Sequence, residues 1–191
     1  ETPLYDGDVI KIGDFAFCNC TKIKEITLPD TVKYIGSYAF SLCYALETLD
    51  LGNGLEDIMS HAFQECISLK KVVIPDSVTT LEFGAFNDCI GLKEIVFGDG
   101  LLFVPDNTFS NCIAIESITF GKNIQYLEDS FYDCPALKEI RVKDLASWCE
   151  MEKGYFSLSQ IERFYVNDEL LEGELIIPEG VNRISSRSFH G

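Results

Sequence analysis

A solenoid built from short parallel strands is the fold this sequence predicts, and three observations predict it. A Phe followed three residues later by a Cys recurs at Phe17/Cys20, Phe40/Cys43, Phe63/Cys66, Phe86/Cys89, Phe109/Cys112 and Phe131/Cys134. Successive phenylalanines are 23, 23, 23, 23 and 22 residues apart. Each unit opens with an apolar alternation of period 2 that stops at Pro or Gly. Fixed periods of this length mark repeat architectures. A unit this short has no core of its own and buries its apolar face only against its neighbours.

The elements follow in order along the unit from Cys20 to Cys43. The stretch Ile26-x-Leu28 alternates and reads as a short strand with one buried face. Its later copies are Leu49/Leu51, Val72/Ile74, Ile95/Phe97, Ile118/Phe120 and Ile140/Val142. A turn comes next at Pro29-Asp30, Gly52-Asn53, Pro75-Asp76, Gly98-Asp99 and Gly121-Lys122, because Pro cannot continue a central strand and Gly frees the backbone. The V-x-x-I segment (Val32/Ile35, Leu55/Ile58, Val78/Leu81, Leu101/Val104, Ile124/Leu127) reads as a second, shorter extended piece. The A-F-x-x-C segment is too short for a regular helix and predicts a helical or 3₁₀ turn. A small residue stands before each Phe, at Ala39, Ala62, Ala85, Thr108, Ser130 and Ser188, as a tight bend requires. Stacked at about 4.8 Å per coil, the phenylalanines and the cysteines each form a ladder inside the coil.

Residues 143–174 break the period. Asp144 is a suitable N-cap for a short helix over Leu145–Met151. Ile161, Phe164 and Val166 restore the strand pattern 24 residues after Ile140. Phe164 and Leu175 are too close for a full coil, which predicts a hairpin or an irregular coil between them. Trp148, Tyr155 and Phe156 are expected to fill the core beneath it. The repeat resumes over 175–191, so one elongated domain spans 1–191, with regular repeats over 9–142. The chain opens and closes inside a repeat and reads as a piece of a longer one. Its N-terminus lacks the basic and apolar regions of a signal peptide.

Composition excludes several classes of function. Hydrophobic residues make up 47%, ample for a packed core. Net charge is −16, from 31 acidic and 15 basic residues, and is spread along the chain. Such a chain lacks the basic footprint that nucleic acid requires and is repelled by anionic membrane surfaces. No apolar run is long enough to insert directly into a bilayer. The acidity serves solubility and, more sharply read, favours basic partners.

No constellation for catalysis emerges. Six of the eight cysteines belong to the ladder and read as buried structural thiols. A linear ladder does not converge tetrahedrally on a metal. Cys18 falls at the polar outward phase of Ser41, Gln64, Asn87 and Ser110 and is the most accessible thiol expected. Of the two histidines, His61 takes the phase of Tyr38 and Gly84, and neither His61 nor His190 has an acid and a nucleophile at matching phase. Asp6-Gly7-Asp8 is too short for a calcium loop, and Asn19-Cys20-Thr21 is a chance sequon. No cofactor or metal is expected.

The candidate site follows from strand alternation instead. With Ile26 and Leu28 inward, Glu25 and Thr27 face outward. The equivalents are Thr48/Asp50, Lys71/Val73, Glu94/Val96, Ser117/Thr119 and Glu139/Arg141, with Arg163/Tyr165 extending the row. Solenoids bind through such extended, concave faces. A second candidate is the aromatic flank of Tyr34, Phe103 and Tyr126, with Leu102 beside it.

The L-x-x-I-x-L-P-x-x-V-x-x-I-x-x-x-A-F-x-x-C units over 9–142, and again over 175–189, resemble the BspA-like bacterial leucine-rich repeats, also called the Treponema type. The Asn that caps the strand in more familiar leucine-rich repeats gives way to Thr31, Gly54, Ser77 and Gly100, with Asn123 at that position of the fifth coil. No long convex helix is present. The resemblance implies a leucine-rich-repeat solenoid: an α/β-type horseshoe arc of mostly short parallel strands with 3₁₀ or short helical turns. It also implies an extracellular or cell-surface protein that is not an enzyme and binds other proteins. A rigid spacer or an accessory domain attached to another functional domain is the alternative. End-to-end self-association through unpaired terminal coils is a further expectation.

Overall fold

A strand of two to four residues leaves most of its N–H and C=O groups unpaired, so it survives only inside a sheet. The computed structural model, which describes residues 10–156 and 158–189, shows how each coil meets that demand with two strands. In chain order they are β1 (Lys11–Ile12), β2 (Glu25–Thr27), β3 (Tyr34–Ile35), β4 (Thr48–Asp50), β5 (Asp57–Ile58), β6 (Lys71–Ile74), β7 (Thr80–Leu81) and β8 (Glu94–Phe97). Then follow β9 (Phe103–Val104), β10 (Ser117–Phe120), β11 (Tyr126–Leu127), β12 (Glu139–Val142), α1 (Leu145–Glu150), β13 (Glu152–Lys153), β14 (Arg163–Val166) and β15 (Glu169–Leu170). The expected V-x-x-I strands are thus present, two residues long.

Odd-numbered strands β1 to β13 pair in the orders β1-β3-β5-β7 and β9-β11-β13, and the longer strands in the orders β2-β4 and β6-β8-β10-β12-β14. All these pairings are parallel and in register with the repeat: Lys71 lies opposite Glu94, and Val73 opposite Val96. The register absorbs the irregularities noted in the sequence, with Ser117 opposite Glu139 and Glu139 opposite Arg163.

The A-F-x-x-C segments carry the main surprise. No 3₁₀ helix forms among the described residues. The N–H groups alternate instead. Those of Ala39, Ser41 and Cys43 close turns onto Gly36, Tyr38 and Phe40, three residues back (3.2–3.3 Å). Those of Tyr38, Phe40 and Leu42 reach Ser60, Ala62 and Gln64 of the next coil (2.8–3.1 Å). A 3₁₀ helix would turn every N–H inward, and the coils would lose this ladder. Alternation forces positive φ at two points per coil, as at Tyr38 (56°) and Leu42 (62°), His61 and Glu65, Gly84 and Asp88, and Asn107 and Asn111. Asn, Asp and Gly suit that region, whereas a bulky side chain there costs roughly 1–2 kcal/mol. Gly84 is further constrained, because a Cβ there would stand 2.6 Å from the His61 ring.

Inside the ladder the rings of Phe17, Phe40, Phe63, Phe86, Phe109 and Phe131 stack nearly parallel at 5.0–5.3 Å. From Cys43 to Cys134 the ladder thiols donate to the carbonyl of the preceding coil's Phe, as Cys66 to Phe40, Cys89 to Phe63 and Cys112 to Phe86, at 3.2–3.3 Å. The small residues before Phe are fully buried. Where they carry a hydroxyl it reaches a backbone carbonyl, Thr108 donating within its own turn to Pro105 O (2.7 Å) and Ser130 to Val104 O of the preceding coil (2.9 Å).

The irregular unit closes the array. Asp144 caps α1 by accepting from the Ser147 N–H (2.8 Å) and hydroxyl (2.6 Å). Trp148 and Phe156 are buried as expected, but Tyr155 is not: it is exposed, and Arg187 lies over its ring. The physical reason is that Gly154 leaves β13 across the rim of the coil, so the following side chain points to solvent. Asn167 and Asp168, both with positive φ, turn the chain back, and β15 pairs antiparallel with β14. The hairpin occupies the edge that the next parallel strand would use, and residues 171–181 run without strand structure.

Relief of backbone strain at the second left-handed position predicts that Leu42→Asn keeps or raises stability, by up to about 1 kcal/mol. Chemical denaturation measures this. A loss larger than that would show that the apolar contacts of Leu42 outweigh its backbone cost.

Candidate functional site

The residues that strand alternation directs outward do face outward. Glu25, Thr27, Thr48, Asp50, Lys71 and Val73 are exposed, and Glu94, Val96, Ser117, Thr119, Glu139 and Arg141 are partly exposed. Parallel register brings them into two adjacent rows, within the β2–β4 pair and along the β6-β8-β10-β12 strands beside it. Their chemistry divides the face into three zones. At the β2–β4 end, Glu25, Thr27, Thr48 and Asp50 are polar. At the centre, Val73 is 46% exposed beside Val96, and both line a groove of about 700 Å³ that also touches Pro75, Asp76 and Lys143. Lys71 is neutralised by Glu94 across the strands (2.7 Å).

At the β12–β14 end a charged network forms. Glu139 accepts from Arg141 (2.7 Å) and Arg163 (2.9 Å). Partial burial works against its charged form, but the two guanidinium groups outweigh that and hold its carboxyl below the usual range. Arg141 also reaches Asp168 (3.3 Å) on the hairpin and stacks over Tyr165. Beside the groove, Asp99 is held low in the same way, partial burial being overcome by Lys143 (3.0 Å) and the Lys122 N–H (3.2 Å).

The aromatic flank is less coherent. Tyr34, Phe103 and Tyr126 occupy one register row of the short strands, but Asp57 and Thr80 stand between Tyr34 and Phe103. Phe103 and Tyr126 are direct neighbours, with Leu102 exposed beside them, whereas Tyr34 sits apart under the Lys11 ammonium (4.1 Å).

The thiols are all free. Cys43, Cys66, Cys89, Cys112, Cys134 and Cys149 are buried; Cys20, expected to be buried in the ladder, is instead partly exposed like Cys18. Burial pushes the Cys43 and Cys134 thiols up to about 12, Cys43 helped by its neighbour Cys66. His61 stacks on Tyr38 (4.9 Å) and meets Asn87 Oδ1 (3.3 Å). Asp6 to Asp8 and His190 lie outside the described residues.

One group escaped the sequence reading. Lys153 is only 4% exposed. Its ammonium donates to the carbonyls of Trp148 (2.5 Å) and Met151 (2.9 Å) and to Ser188 Oγ (3.1 Å), and lies 4.3 Å from the Trp148 ring centre. Trp148 Nε1 itself donates to Ser188 O (2.9 Å). The lysine therefore pins the last segment to α1. Burial lowers its pKa to about 8, with Arg183 adding to the effect against the opposing influence of Cys149. Alternation places Lys153 inward, opposite Leu127, but a charge at an inward phase gives no sign in the sequence of what receives it.

Six copies of the BspA type leucine rich repeat region match residues 5–81 and 56–172. No curated protein matches the chain in sequence. Among solved structures, a leucine-rich-repeat protein from T. pallidum is 29% identical over 72% of this chain and 68% of its own, with a TM-score of 0.68. The pneumococcal vaccine antigen PcpA is 22% identical, over 71% of this chain and 34% of its own, with a TM-score of 0.64. A leucine-rich-repeat protein from Eubacterium ventriosum is 21% identical, over 85% and 47%, with a TM-score of 0.60. This chain spans about a third to a half of the length of the latter two, whose likeness establishes the fold.

Two measurements test the buried groups. A thiol-labelling time course on the folded protein should modify Cys18 and Cys20 and spare the other six; labelling of Cys43 as fast as Cys18 contradicts the ladder. For Lys153, the folded pKa lies below the ordinary value of about 10.4. Between about pH 8 and that value the unfolded chain holds a proton the folded chain has released, so stability from this group rises with pH across the window. Lys153→Met should abolish that rise in the urea midpoint. An unchanged difference between pH 7 and pH 10 would assign it to other groups.

Proposed function

We propose that this chain, which belongs to the BspA type leucine-rich-repeat family, is a non-catalytic protein-interaction module of a bacterial cell-surface or secreted protein. It binds through the outer face of the long-strand sheet. The observation that carries this reading is the exposed Val73 beside the partly exposed Val96 at the centre of that face. Apolar surface ringed by polar and ion-paired residues is the composition of an interface core and rim. The groove around the pair gives a partner side chain somewhere to enter, and the flanking Glu139–Arg141–Arg163 network presents fixed, preorganised charges. Leucine-rich-repeat proteins typically mediate protein–protein interaction, and one solved relative is a pneumococcal vaccine antigen, which supports the extracellular placement.

A rigid spacer is the second reading, favoured by the constant parallel register from coil to coil within each sheet. The two separate on one experiment. A photo-crosslinking residue at Val73 or Val96 of the parent protein on intact cells should capture a specific protein. The affinity of that protein should then fall about tenfold or more on Val73→Arg or Val96→Arg, as for a central contact, with thermal stability unchanged. A spacer gives no adduct at either position and is indifferent to both substitutions.

A further inference from the structure

A second surface lies away from that sheet, on the edge where each coil leaves its buried Cys. The residue after Cys is Tyr44, Ile67, Ile90, Ile113 and Pro135 in five consecutive coils. The first four are between 37% and 47% exposed. Tight turns hold them out: the N–H groups of Tyr44, Ile67 and Ile90 bond back two residues to Leu42, Glu65 and Asp88 (2.8–2.9 Å). Strand spacing makes this an apolar stripe about 19 Å long from Tyr44 to Pro135, the length of about six extended residues. A contiguous exposed apolar patch rimmed by polar residues often marks an interaction site.

The two flanks differ in charge. On one side, two residues earlier, stand Glu65, Asp88 and Asp133. On the other, Lys70 lies against Gly91, while Lys93 and Lys138 are neutralised by Glu116 and Glu162.

At Pro135 the stripe runs into a cleft of about 300 Å³. It exists because the connection from β13 to β14 departs from the A-F-x-x-C path of the other coils. Its floor is apolar, from Phe131, Leu137 and Phe156. Its walls are Tyr132 and Tyr155, 70% and 77% exposed. Its rim carries Glu128, Asp129 and Asp133. Glu128 and Asp129 accept backbone N–H groups from Asp106 (3.1 Å) and Tyr155 (2.9 Å). None of the three is in an ion pair among the described residues. The chain's own Arg187 already stacks on Tyr155, its guanidinium 5.2 Å from the ring centre.

We propose that the stripe and its terminal cleft form a docking groove for an extended basic segment of a partner protein, with one arginine or lysine side chain seated in the cleft. The aliphatic stem of that side chain covers the phenylalanine floor, and its cationic head meets the tyrosine faces and the three carboxylates. Apolar residues at its alternate positions lie along Ile113, Ile90 and Ile67. The complementarity is specific: a neutral or acidic segment leaves the three carboxylates without a counter-charge, in a protein of net charge −16. This groove is independent of the long-strand face, so each can fail without the other.

The test uses NMR titration and calorimetry with an acetylated, amidated hexapeptide: one arginine followed by alternating valine and threonine. Its partner probe carries citrulline, which keeps the shape and loses the charge. The expected result is chemical-shift change at Asp133, Gly154 and the methyl groups of Ile90 and Ile113. Binding should weaken about tenfold with citrulline and at least fivefold in Tyr132→Ala and Asp133→Asn. Both variants preserve the fold, since Tyr132 is mostly exposed and Asn tolerates the positive φ of Asp133 (55°). Val73→Arg should leave this binding unchanged. No binding, equal binding of the two peptides, indifference to both cleft variants, or shifts confined to the Val73–Val96 face would each overturn the proposal.

Discussion

No coil of this protein can satisfy its own backbone, and that single constraint organises the rest. Between Gly36 and Cys43, every second N–H points out of the coil, toward the next. The rows of long and short strands impose the same dependence on strands of two to four residues. Adjacent coils are therefore locked to one spacing and one register, and side chains at equal phase must stack on themselves. A ring at that phase stacks on a ring, and a thiol repeats beside a thiol. Loss of one ring would remove a layer shared by two neighbours, at a cost of roughly 3–5 kcal/mol for Phe to Ala in a packed core.

The same rule governs polar groups. Asp30 and Asp76 each accept an N–H from the following coil, Asn53 and Asp99 respectively, at 2.7 Å. Asn123 donates back to Asp99 O (2.7 Å). Gly54 presses so closely on Asp30 O that a Cβ would stand 1.7 Å from it. Ion pairs such as Lys93–Glu116 bridge one coil to the next. These exposed pairs add little energy each, but they leave few free cations on the surface, so the acidic excess is what a partner meets. Function is confined to positions the stacking does not use, namely the outward phases and the places where the repeat changes.

Much of this was legible beforehand. The spacing of Phe and Cys announced the ladder, the I-x-L alternation announced which residues face out, and the 24-residue step from Ile140 to Phe164 appeared as a true register. The half-exposed isoleucines after Cys were also present in the spacing, yet the turn they sit in hides whether such a residue points in or out. Tyr155 and Lys153 were harder. Their phases depend on how a non-repeating connection crosses the rim of the coil, and periodicity says nothing where the period is broken.

The sequence by itself determined the repeat, the strand faces, most of the buried thiols and the helix capped by Asp144, because each rests on local propensity or on exact recurrence, while it left a hairpin and an irregular coil both open after Phe164. Only the tertiary structure decided that the A-F-x-x-C turn is an alternating ladder rather than a 3₁₀ turn, that β15 takes the sheet edge, that Tyr34 stands apart from Phe103 and Tyr126, and that a cleft opens beside Pro135. Those outcomes depend on which neighbour receives a given N–H or fills a given edge. That choice is made between segments far apart in the chain, and no single segment encodes it.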